Sequence, residues 1–286
     1  MGQTAGGIGP RIYFVASCAR SGSTSLARIL DTASNGRCLV EPMPNLNTES
    51  RELMEGRLAD PYRVIAEQVV PRVAGALDAG VIHGEKNLTL GPFIPQLHAL
   101  LRCRFVWIVR DGRDVARSLM NWHTEAFGNI YRDCAFDDPL SAQARAALAQ
   151  VPPELDTADY ARPRPLPGDP WRERWSTLSR FQMVAWYWSF INRLFANQLQ
   201  QLPAEAWIRV DYSRITVERI GELFQFLELE GFDAARVAEM LGRRINSLED
   251  RFQSRGPFAH WREWDDERRR QFDEIAGQQM AALGYV

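Results

Sequence analysis

The sequence predicts a single α/β domain in which a parallel β-sheet is covered by helices on both faces. Its clearest strand, residues 103–110 (CRFVWIVR), is a continuous apolar run, which is typical of strands buried on both sides. Apolar runs of this kind alternate with helical patterns along the chain, and such alternation produces parallel sheets by right-handed crossovers. The 286 residues fit one α/β domain with insertions, and we expect one domain over residues 1–286.

Five short apolar runs are the predicted strands. They cover residues 11–17, 37–41, 79–85, 103–110 and 206–211. Helical patterns follow at residues 25–33, 61–78, 112–122, 175–200, 214–229, 233–243 and 265–283. Between residues 123 and 174 the prolines break the periodicity, apart from one predicted helix at 140–150. A segment of this length in a compact domain is usually a cap or a binding loop, so we expect it to cover a site.

The composition indicates a globular protein without a global attraction for polyanions. Hydrophobic residues make up 45% of the chain, and the formal net charge is −2. We therefore expect no binding to nucleic acid, and any anion site must be local. No apolar run approaches the roughly 20 residues that span a bilayer, and the N-terminal residues lack the pattern of a secretion signal. These features favour a cytoplasmic protein.

The four cysteines favour neither a metal site nor a disulfide framework. Cys18, Cys38, Cys103 and Cys134 form no Cys-x-x-Cys pair, and no histidine lies at zinc spacing from them. We expect a protein without metal in a reducing compartment. The sequence leaves the oligomeric state open.

The loop that follows the first strand, residues 18–24 (CARSGST), is a predicted phosphate-binding loop. A small-residue loop before a helix turns backbone N–H groups and the positive end of the helix dipole toward one point. The loop nearly fits the nucleotide-binding pattern G-x-x-x-x-G-K-[ST], but Ser17 replaces the first glycine and Ser23 replaces the lysine. A nucleoside triphosphatase needs that lysine. The loop therefore favours a less charged phosphate held by hydroxyls, N–H groups and Arg20, although a plain strand-to-helix turn is the alternative.

A second candidate anion site lies at residues 110–118 (RDGRDVARS). Arg110 ends the clearest strand, and Ser118 lies two turns into the following helix. Ligands of open α/β sheets bind at this edge, and an arginine fork with a hydroxyl suits a phosphate. Taken alone, the pattern is more typical of surface and packing residues.

Together, the two segments resemble the phosphate motifs of the sulfotransferases that use 3′-phosphoadenosine 5′-phosphosulfate (PAPS) as donor. Residues 19–30 (ARSGSTSLARIL) are similar to the 5′-phosphosulfate loop in the R-S-G-[ST]-[ST] form of the carbohydrate and protein-tyrosine members. Residues 110–118 are similar to the 3′-phosphate motif, commonly R-D-P-R-D with a serine eight residues after the first arginine. Arg110 and Ser118 keep that spacing, while Gly112 replaces the proline.

The resemblance continues late in the chain. Residues 209–215 (RVDYSRI) resemble the family strand that ends in a tyrosine-bearing segment, although an acidic residue often follows that tyrosine. Residues 254–261 (SRGPFAHW) resemble the R-K-G-x-x-G-x-W arm that closes over the 3′-phosphate, without its middle glycine. The resemblance implies a three-layer P-loop-type fold, with residues 123–174 as an acceptor lid. The implied donor contacts come from Arg20, Ser21, Gly22, Ser23, Thr24, Ser25, Arg110, Ser118, Tyr212, Arg255 and Gly256.

The resemblance also implies a base and two cations. Glu41 ends the second strand in a Glu-Pro turn like the one whose glutamate is the base in related enzymes, and Pro42 favours an extended conformation for it. Such a base works best when burial raises its pKa. Lys86, the only lysine beside 33 arginines, ends the third strand where related enzymes hold the leaving oxygen. Arg20 completes the set, and no metal is required.

Several alternatives stay open at this point. His83 could replace Glu41 as the base, although its alternation with Glu85 favours a hydrogen-bonded core histidine. The implied reaction transfers a sulfuryl group from PAPS to a hydroxyl group and leaves 3′-phosphoadenosine 5′-phosphate (PAP). A carbohydrate or a small secondary metabolite is the expected acceptor. The alternative functions are a small-molecule kinase with a P-loop and a non-catalytic nucleotide-binding module.

Overall fold

The computed structural model describes residues 11–78, 81–151, 162–243 and 256–285. The five predicted strands form one sheet in the order β2-β3-β1-β4-β5, and every neighbouring pair is parallel. Their bounds are β1 Ile12–Ser17, β2 Gly36–Val40, β3 Ile82–Lys86, β4 Arg104–Val109 and β5 Trp207–Asp211. The predicted α/β class with a central parallel sheet is confirmed, and all carboxyl ends of the strands lie along one edge.

The helices agree with the sequence pattern apart from the start of α8 and several differences in the first half of the chain. Their bounds are α1 Ser23–Leu30, α2 Asn47–Met54, α3 Pro61–Gln68, α4 Val70–Asp78, α5 Ile94–Leu101, α6 Gly112–Trp122, α7 Ala142–Ala149, α8 Arg180–Leu199, α9 Val217–Leu227, α10 Ala234–Gly242 and α11 Asp266–Leu283. Helices α2 and α5 were not predicted. The single helix predicted for residues 61–78 is two helices, because Pro71 has no N–H to donate and is tolerated only in a first turn, here that of α4.

Helix α6 has the predicted bounds, but a turn that was not predicted follows it. The helical conformation does not stop at Trp122 but continues as a π-helical turn, His123–Phe127, closed by Gly128 in the left-handed conformation. The imidazole Nδ1 of His123 accepts the Ile130 N–H at 3.2 Å, which ties the turn to the next loop. The segment expected to be irregular therefore begins with an ordered turn, and π-turns are frequent at functional sites.

The sheet is buried between two apolar clusters, as the continuous apolar strands predicted. Successive side chains of a strand point to opposite faces. Phe14, Phe105 and Trp107 pack on one face in the cluster that includes α5, α6, α8 and α11, and Tyr13 and Val106 pack on the other with α1, α9 and α10. Within the described ranges, no helix combines the length and the apolar character needed to cross a bilayer.

Candidate active site

The predicted phosphate loop connects β1 to α1 at the carboxyl edge of the sheet. Arg20 and Gly22 both have left-handed backbone conformations, with φ of 65° and 87°. The first backbone hydrogen bond of α1 is donated by the Leu26 N–H to the Gly22 carbonyl at 3.1 Å. The N–H groups of the turn before it lie in the region where a helix has no internal acceptors. The loop thus has the geometry of an anion site.

Gly22 is required at its position for two reasons. Its φ of 87° lies in the region that favours glycine. A Cβ atom at this position would also lie only 2.1 Å from Cε2 of Tyr212. Tyr212 therefore packs directly on the phosphate loop, as expected for a residue assigned to the same site.

A cavity of about 400 Å³ lies at this edge, and we call it the donor cavity. Most of the predicted donor contacts line it, whereas Ser21, Ser118 and Gly256 do not. Its lining includes Arg20, Gly22, Ser23, Thr24, Ser25, Arg28, Glu41, Lys86, Arg110, Trp122, Arg162 and Tyr212. Five of these side chains are cationic and one is a carboxylate. In a chain of net charge −2, this is the local concentration of positive charge that a multiply charged anion needs.

The two predicted anion motifs meet at the donor cavity. Arg20 Nε donates to Ser118 Oγ at 3.2 Å, and Arg110 Nη1 donates to the Arg20 carbonyl at 3.2 Å. The Arg20 guanidinium also lies 4.1 Å from the centre of the Trp122 ring, and that of Arg110 lies 5.2 Å from the Tyr212 ring. Motifs 90 residues apart in sequence therefore share one site, and Ser118 reaches it through Arg20.

The late arm packs on α6, the helix that carries Ser118. Asn121 Oδ1 accepts the Phe258 N–H at 2.7 Å, and its Nδ2 donates to the Phe258 carbonyl at 3.3 Å. Gly256 has a φ of 71°, and a Cβ atom there would lie 2.4 Å from Asn121 Cγ. This part of the arm lies beside the second anion motif. The predicted contact Arg255 lies outside the described residues.

Glu41 and Lys86 form a pair at the ends of β2 and β3. Lys86 Nζ donates to Glu41 Oε1 at 2.5 Å, and the Glu41 N–H donates to the Lys86 carbonyl at 2.7 Å. The Lys86 side chain is only 4% exposed, so it is not a surface lysine. The Glu41 side chain is 43% exposed, so the burial that we expected for a carboxylate base is absent.

The backbone of Glu41 also differs from the prediction. We expected an extended residue before Pro42, whereas Glu41 has a φ of 50°. The chain leaves the sheet directly after the hydrogen bond between the Glu41 N–H and the Lys86 carbonyl, and this sharp turn outweighs the usual preference before proline. A left-handed non-glycine residue costs about 1–3 kcal/mol, and such residues cluster at functional sites.

A buried ion-pair cluster lies behind this pair. Arg72 donates to both oxygens of Glu85, at 2.8 and 2.7 Å, and to the Met43 carbonyl at 2.9 Å in the loop after Glu41. His83 Nε2 lies 2.9 Å from Glu85 Oε1. Burial raises the pKa of Glu85, but the hydrogen bonds from His83 and Arg72 outweigh it, and the pKa lies below its usual range. His83 is thus a buried residue bonded to Glu85, as the sequence favoured.

A second cavity, which we call the acceptor cavity, has a volume of about 300 Å³ and meets the donor cavity at Glu41. Leu88, Phe127 and Arg162 also line both cavities. Sequence reasoning missed Arg162, because it is one of 33 arginines in the chain and lies in a segment without periodicity. Phe127 belongs to the π-helical turn, which could not be distinguished from a loop in the sequence.

Two reactive side chains near the cavities are unsuited to chemistry. Cys18 lies in the phosphate loop, but burial raises the pKa of its thiol to about 12, so it stays protonated. Burial, together with the charges of Arg180 and Arg162, lowers the pKa of His123 to about 3, so its imidazole is neutral. In the part of the chain that the structure describes, no group of three or more His, Cys, Asp and Glu side chains could hold a metal ion.

Known structures resemble this architecture, although no family model and no curated protein sequence matches the chain. Sulfotransferase STF9 from Mycobacterium avium is 12% identical, with a TM-score of 0.50 over 96% of this chain and 77% of that chain. The chain has the sulfotransferase fold. Mouse sulfotransferase SULT7A1, solved with PAP, gives a TM-score of 0.49 at 13% identity over 94% of this chain and 84% of that chain. The sulfotransferase domain of the Synechococcus PCC 7002 olefin synthase gives 0.49 at 15% identity over 97% of both chains.

Proposed function

We propose that the protein is a sulfotransferase that transfers a sulfuryl group from PAPS to a hydroxyl group of a carbohydrate or another small molecule. One observation carries the proposal: Arg20 contacts both Ser118 and Arg110, so the two predicted phosphate motifs meet at one cavity that is rich in cations. The sulfotransferase fold supports it, and so does the absence of the P-loop lysine that a kinase needs.

The donor would lie across both motifs. In this proposal Arg110 binds the 3′-phosphate in the donor cavity. Ser118, which contacts Arg20, and Gly256 lie behind the cavity lining and would complete this contact together with Arg255, which lies outside the described residues. Ser21, Gly22, Ser23, Thr24 and Ser25 surround the 5′-phosphosulfate with hydroxyls and N–H groups. Arg20 bridges the two ends, and the Tyr212 ring packs against the loop and beside Arg110. The residues present therefore fit the charges of PAPS without a metal.

The transfer would take place where the two cavities meet. The acceptor oxygen attacks sulfur while the bond from sulfur to the bridging oxygen of PAPS breaks, and Glu41 takes the proton of the hydroxyl. PAP leaves with the electron pair of that bond, and the ammonium of Lys86 stabilises the charge that develops on its 5′-phosphate. Because charge spreads over the oxygens of the transferred group, catalysis is mainly positioning and electrostatic stabilisation. Arg162 lines both cavities and would add positive charge at this point.

Residues 123–174 would form the acceptor lid in this proposal. Phe127 and Arg162 line both cavities, which supports the role for the described part of the segment. The single-domain organisation and the cytoplasmic location are predictions from the sequence.

Calorimetry with PAP and with ATP–Mg²⁺ tests the proposed function. We expect tight binding of PAP without magnesium and sulfation of a hydroxylated acceptor when PAPS is supplied. A preference for ATP–Mg²⁺ would support the kinase, and binding without transfer to any acceptor would support the nucleotide-binding module. Either result overturns the proposal.

A matched pair of arginine variants tests whether PAP binds in the donor cavity. Arg110→Ala removes a charged hydrogen-bond donor, so we expect PAP affinity to fall by about 10- to 100-fold. Arg193→Ala is the control, because Arg193 is an exposed arginine of α8 that lines neither the donor cavity nor the acceptor cavity. Equal effects of the two variants would show that PAP binds elsewhere.

A further inference from the structure

The acceptor cavity limits the size of the molecule that it can hold. Its volume of about 300 Å³ lies at the small end of the range for ligand pockets. A molecule in this cavity would present a group to Glu41, where the cavity meets the donor cavity. The group that enters the cavity must therefore be small, about the size of one ring, and a small molecule can fit entirely inside it.

Three polar side chains of this cavity have hydrogen-bonding atoms without a partner among the described residues. They are Ser17 Oγ at the end of β1, Ser50 Oγ on α2 and Asn87 Nδ2 after β3. All three residues are at most 2% exposed. An unsatisfied buried polar group costs about 1–3 kcal/mol, so three around one cavity require an explanation.

The orientation of the Asn87 amide follows from its neighbours. Its Oδ1 accepts the Thr89 N–H at 3.0 Å and the Thr89 hydroxyl at 2.7 Å. A backbone N–H can only donate, so the atom that faces it must be the amide oxygen. Asn87 Nδ2 is therefore a donor that remains for another molecule, and the two serine hydroxyls can donate or accept.

Charge in the acceptor cavity is confined to the end where transfer would occur. Its charged residues are Glu41 and Arg162, which also line the donor cavity. The remaining polar lining is uncharged, and Met54, Ile191 and Phe195 add an apolar wall. A ligand that matches this lining has polar groups on its edge, an apolar face and no net charge.

We infer that the acceptor is a small uncharged molecule with several hydroxyl or ether oxygens, as in a sugar or a cyclic polyol. Ser17, Ser50 and Asn87 bind the oxygens that do not react, and one further hydroxyl reaches Glu41 and becomes the sulfate ester. The inference rests on the proposed function, because the sulfuryl donor must occupy the neighbouring cavity. The unsatisfied groups are then the specificity-determining residues for the acceptor.

The first experiment compares acceptors with labelled PAPS. Methyl glucoside and myo-inositol represent the inferred class, and cyclohexanol, 4-nitrophenol and glucuronate represent apolar, phenolic and anionic acceptors. We expect kcat/KM for one of the two polyols to exceed that of each of the other three by about tenfold or more, the effect of about one hydrogen bond. Preference for cyclohexanol, 4-nitrophenol or glucuronate overturns the inference.

The second experiment uses Ser50→Ala and Ser17→Ala, with Ser189→Ala as the matched control. Ser189 is a buried serine on α8 that lines neither the donor nor the acceptor cavity. We expect each cavity variant to raise KM for the preferred polyol by about tenfold. The same variants should lower kcat/KM for the polyol more than kcat/KM for cyclohexanol, whereas Ser189→Ala should lower neither selectively. Tm should be unchanged or higher in the cavity variants, because an unsatisfied buried hydroxyl is lost.

The affinity for PAP separates this inference from the proposed function. If the wild type does not bind PAP, the proposed function itself fails. If the wild type and both serine variants bind PAP equally, but the variants change polyol and cyclohexanol kinetics alike, only the assignment of the acceptor fails.

Discussion

Glu41 combines several features of a reacting group in one residue. Its left-handed backbone directs the side chain away from the ladder of β2, to the junction of the donor and acceptor cavities. The buried ammonium of Lys86 lies 2.5 Å away and fixes the carboxylate in place. His83 offers none of this geometry, since its ring contacts Glu85 and lines neither cavity.

Two variants decide between these candidate bases. We expect Glu41→Gln to lower kcat by about 10²- to 10⁴-fold, the usual contribution of a general base, with little change in PAP affinity. His83→Asn should retain most of the turnover. Steady-state rates with PAPS and calorimetry with PAP measure both effects. If Glu41→Gln were fully active and His83→Asn were inactive, His83 would be the base and Glu41 would not.

A substitution at Gly22 tests the phosphate loop separately. Gly22→Ala would place a methyl group 2.1 Å from the Tyr212 ring at a φ of 87°, so the loop or the tyrosine must shift. We expect PAP affinity to fall by at least about tenfold, as when one charged hydrogen bond is lost. Gly56→Ala is the control, because Gly56 also has a positive φ but has nothing within 4 Å of the added Cβ. Normal PAP binding by Gly22→Ala would contradict the loop assignment.

The residues that sequence reasoning found share one property. Lys86 ends β3, while Arg20, Arg110 and Glu41 come shortly after a strand, and the carboxyl ends of parallel strands must meet at one edge. Arg162 could not be found in this way, because its place depends on how an irregular segment folds back. The exposure and left-handed backbone of Glu41 were also beyond prediction, since both depend on its contacts with β3.

At the level of elements, an ion pair with a fully buried carboxylate connects α4, β3 and the loop after β2. Arg72 contacts both Glu85 and the Met43 carbonyl, so it holds the segment that begins at Glu41 against the sheet. Removing one partner of a buried pair leaves the other charge without compensation. The pair therefore positions the proposed base, although neither of its members would touch the substrate.

We expect Arg72→Ala to lower the free energy of unfolding by about 3–5 kcal/mol. The matched control is Arg63→Ala on α3, because Arg63 pairs with Glu67 at the surface, where such pairs contribute at most about 1 kcal/mol. Urea unfolding followed by circular dichroism measures both. Equal losses for the two variants would show that the Arg72–Glu85 pair contributes no more than a surface pair.

The sequence predicted the five strands and most of the helices, but it missed the eight-residue helices α2 and α5. Helix α8 was expected from residue 175 and begins at Arg180, because the Ser179 side chain and Gln182 form a capping box at its N-terminus. Helix α2 buries only Ser50 and Met54 along its eight residues, which is too little apolar periodicity to detect. Its position nevertheless matters, since it carries Ser50 into the acceptor cavity.

At the scale of the whole molecule, His123 couples stability to pH. The folded pKa is about 3, whereas an unfolded histidine has a pKa of about 6.5. Between these values the unfolded chain binds one more proton, so stability is lost as the pH falls through this range. The residue lies in the π-helical turn, and its Nδ1 holds the following loop.

We expect the wild type to lose about 2 kcal/mol more than His123→Asn between pH 7 and pH 5. Asparagine keeps an oxygen near the position of Nδ1 and does not titrate. Urea unfolding at the two pH values provides the comparison. If the free energy of unfolding fell equally in the wild type and in His123→Asn, His123 would not be a neutral buried imidazole in the folded protein.

The meeting of the two cavities at Glu41 has a consequence for the order of events in the proposed reaction. Each substrate has its own cavity, so neither has to dissociate before the other binds. The two would therefore be present together, and initial-rate plots at several fixed PAPS concentrations should give lines that intersect rather than run parallel. The sulfuryl group would then pass directly from PAPS to the acceptor, and no covalent intermediate with the protein would form.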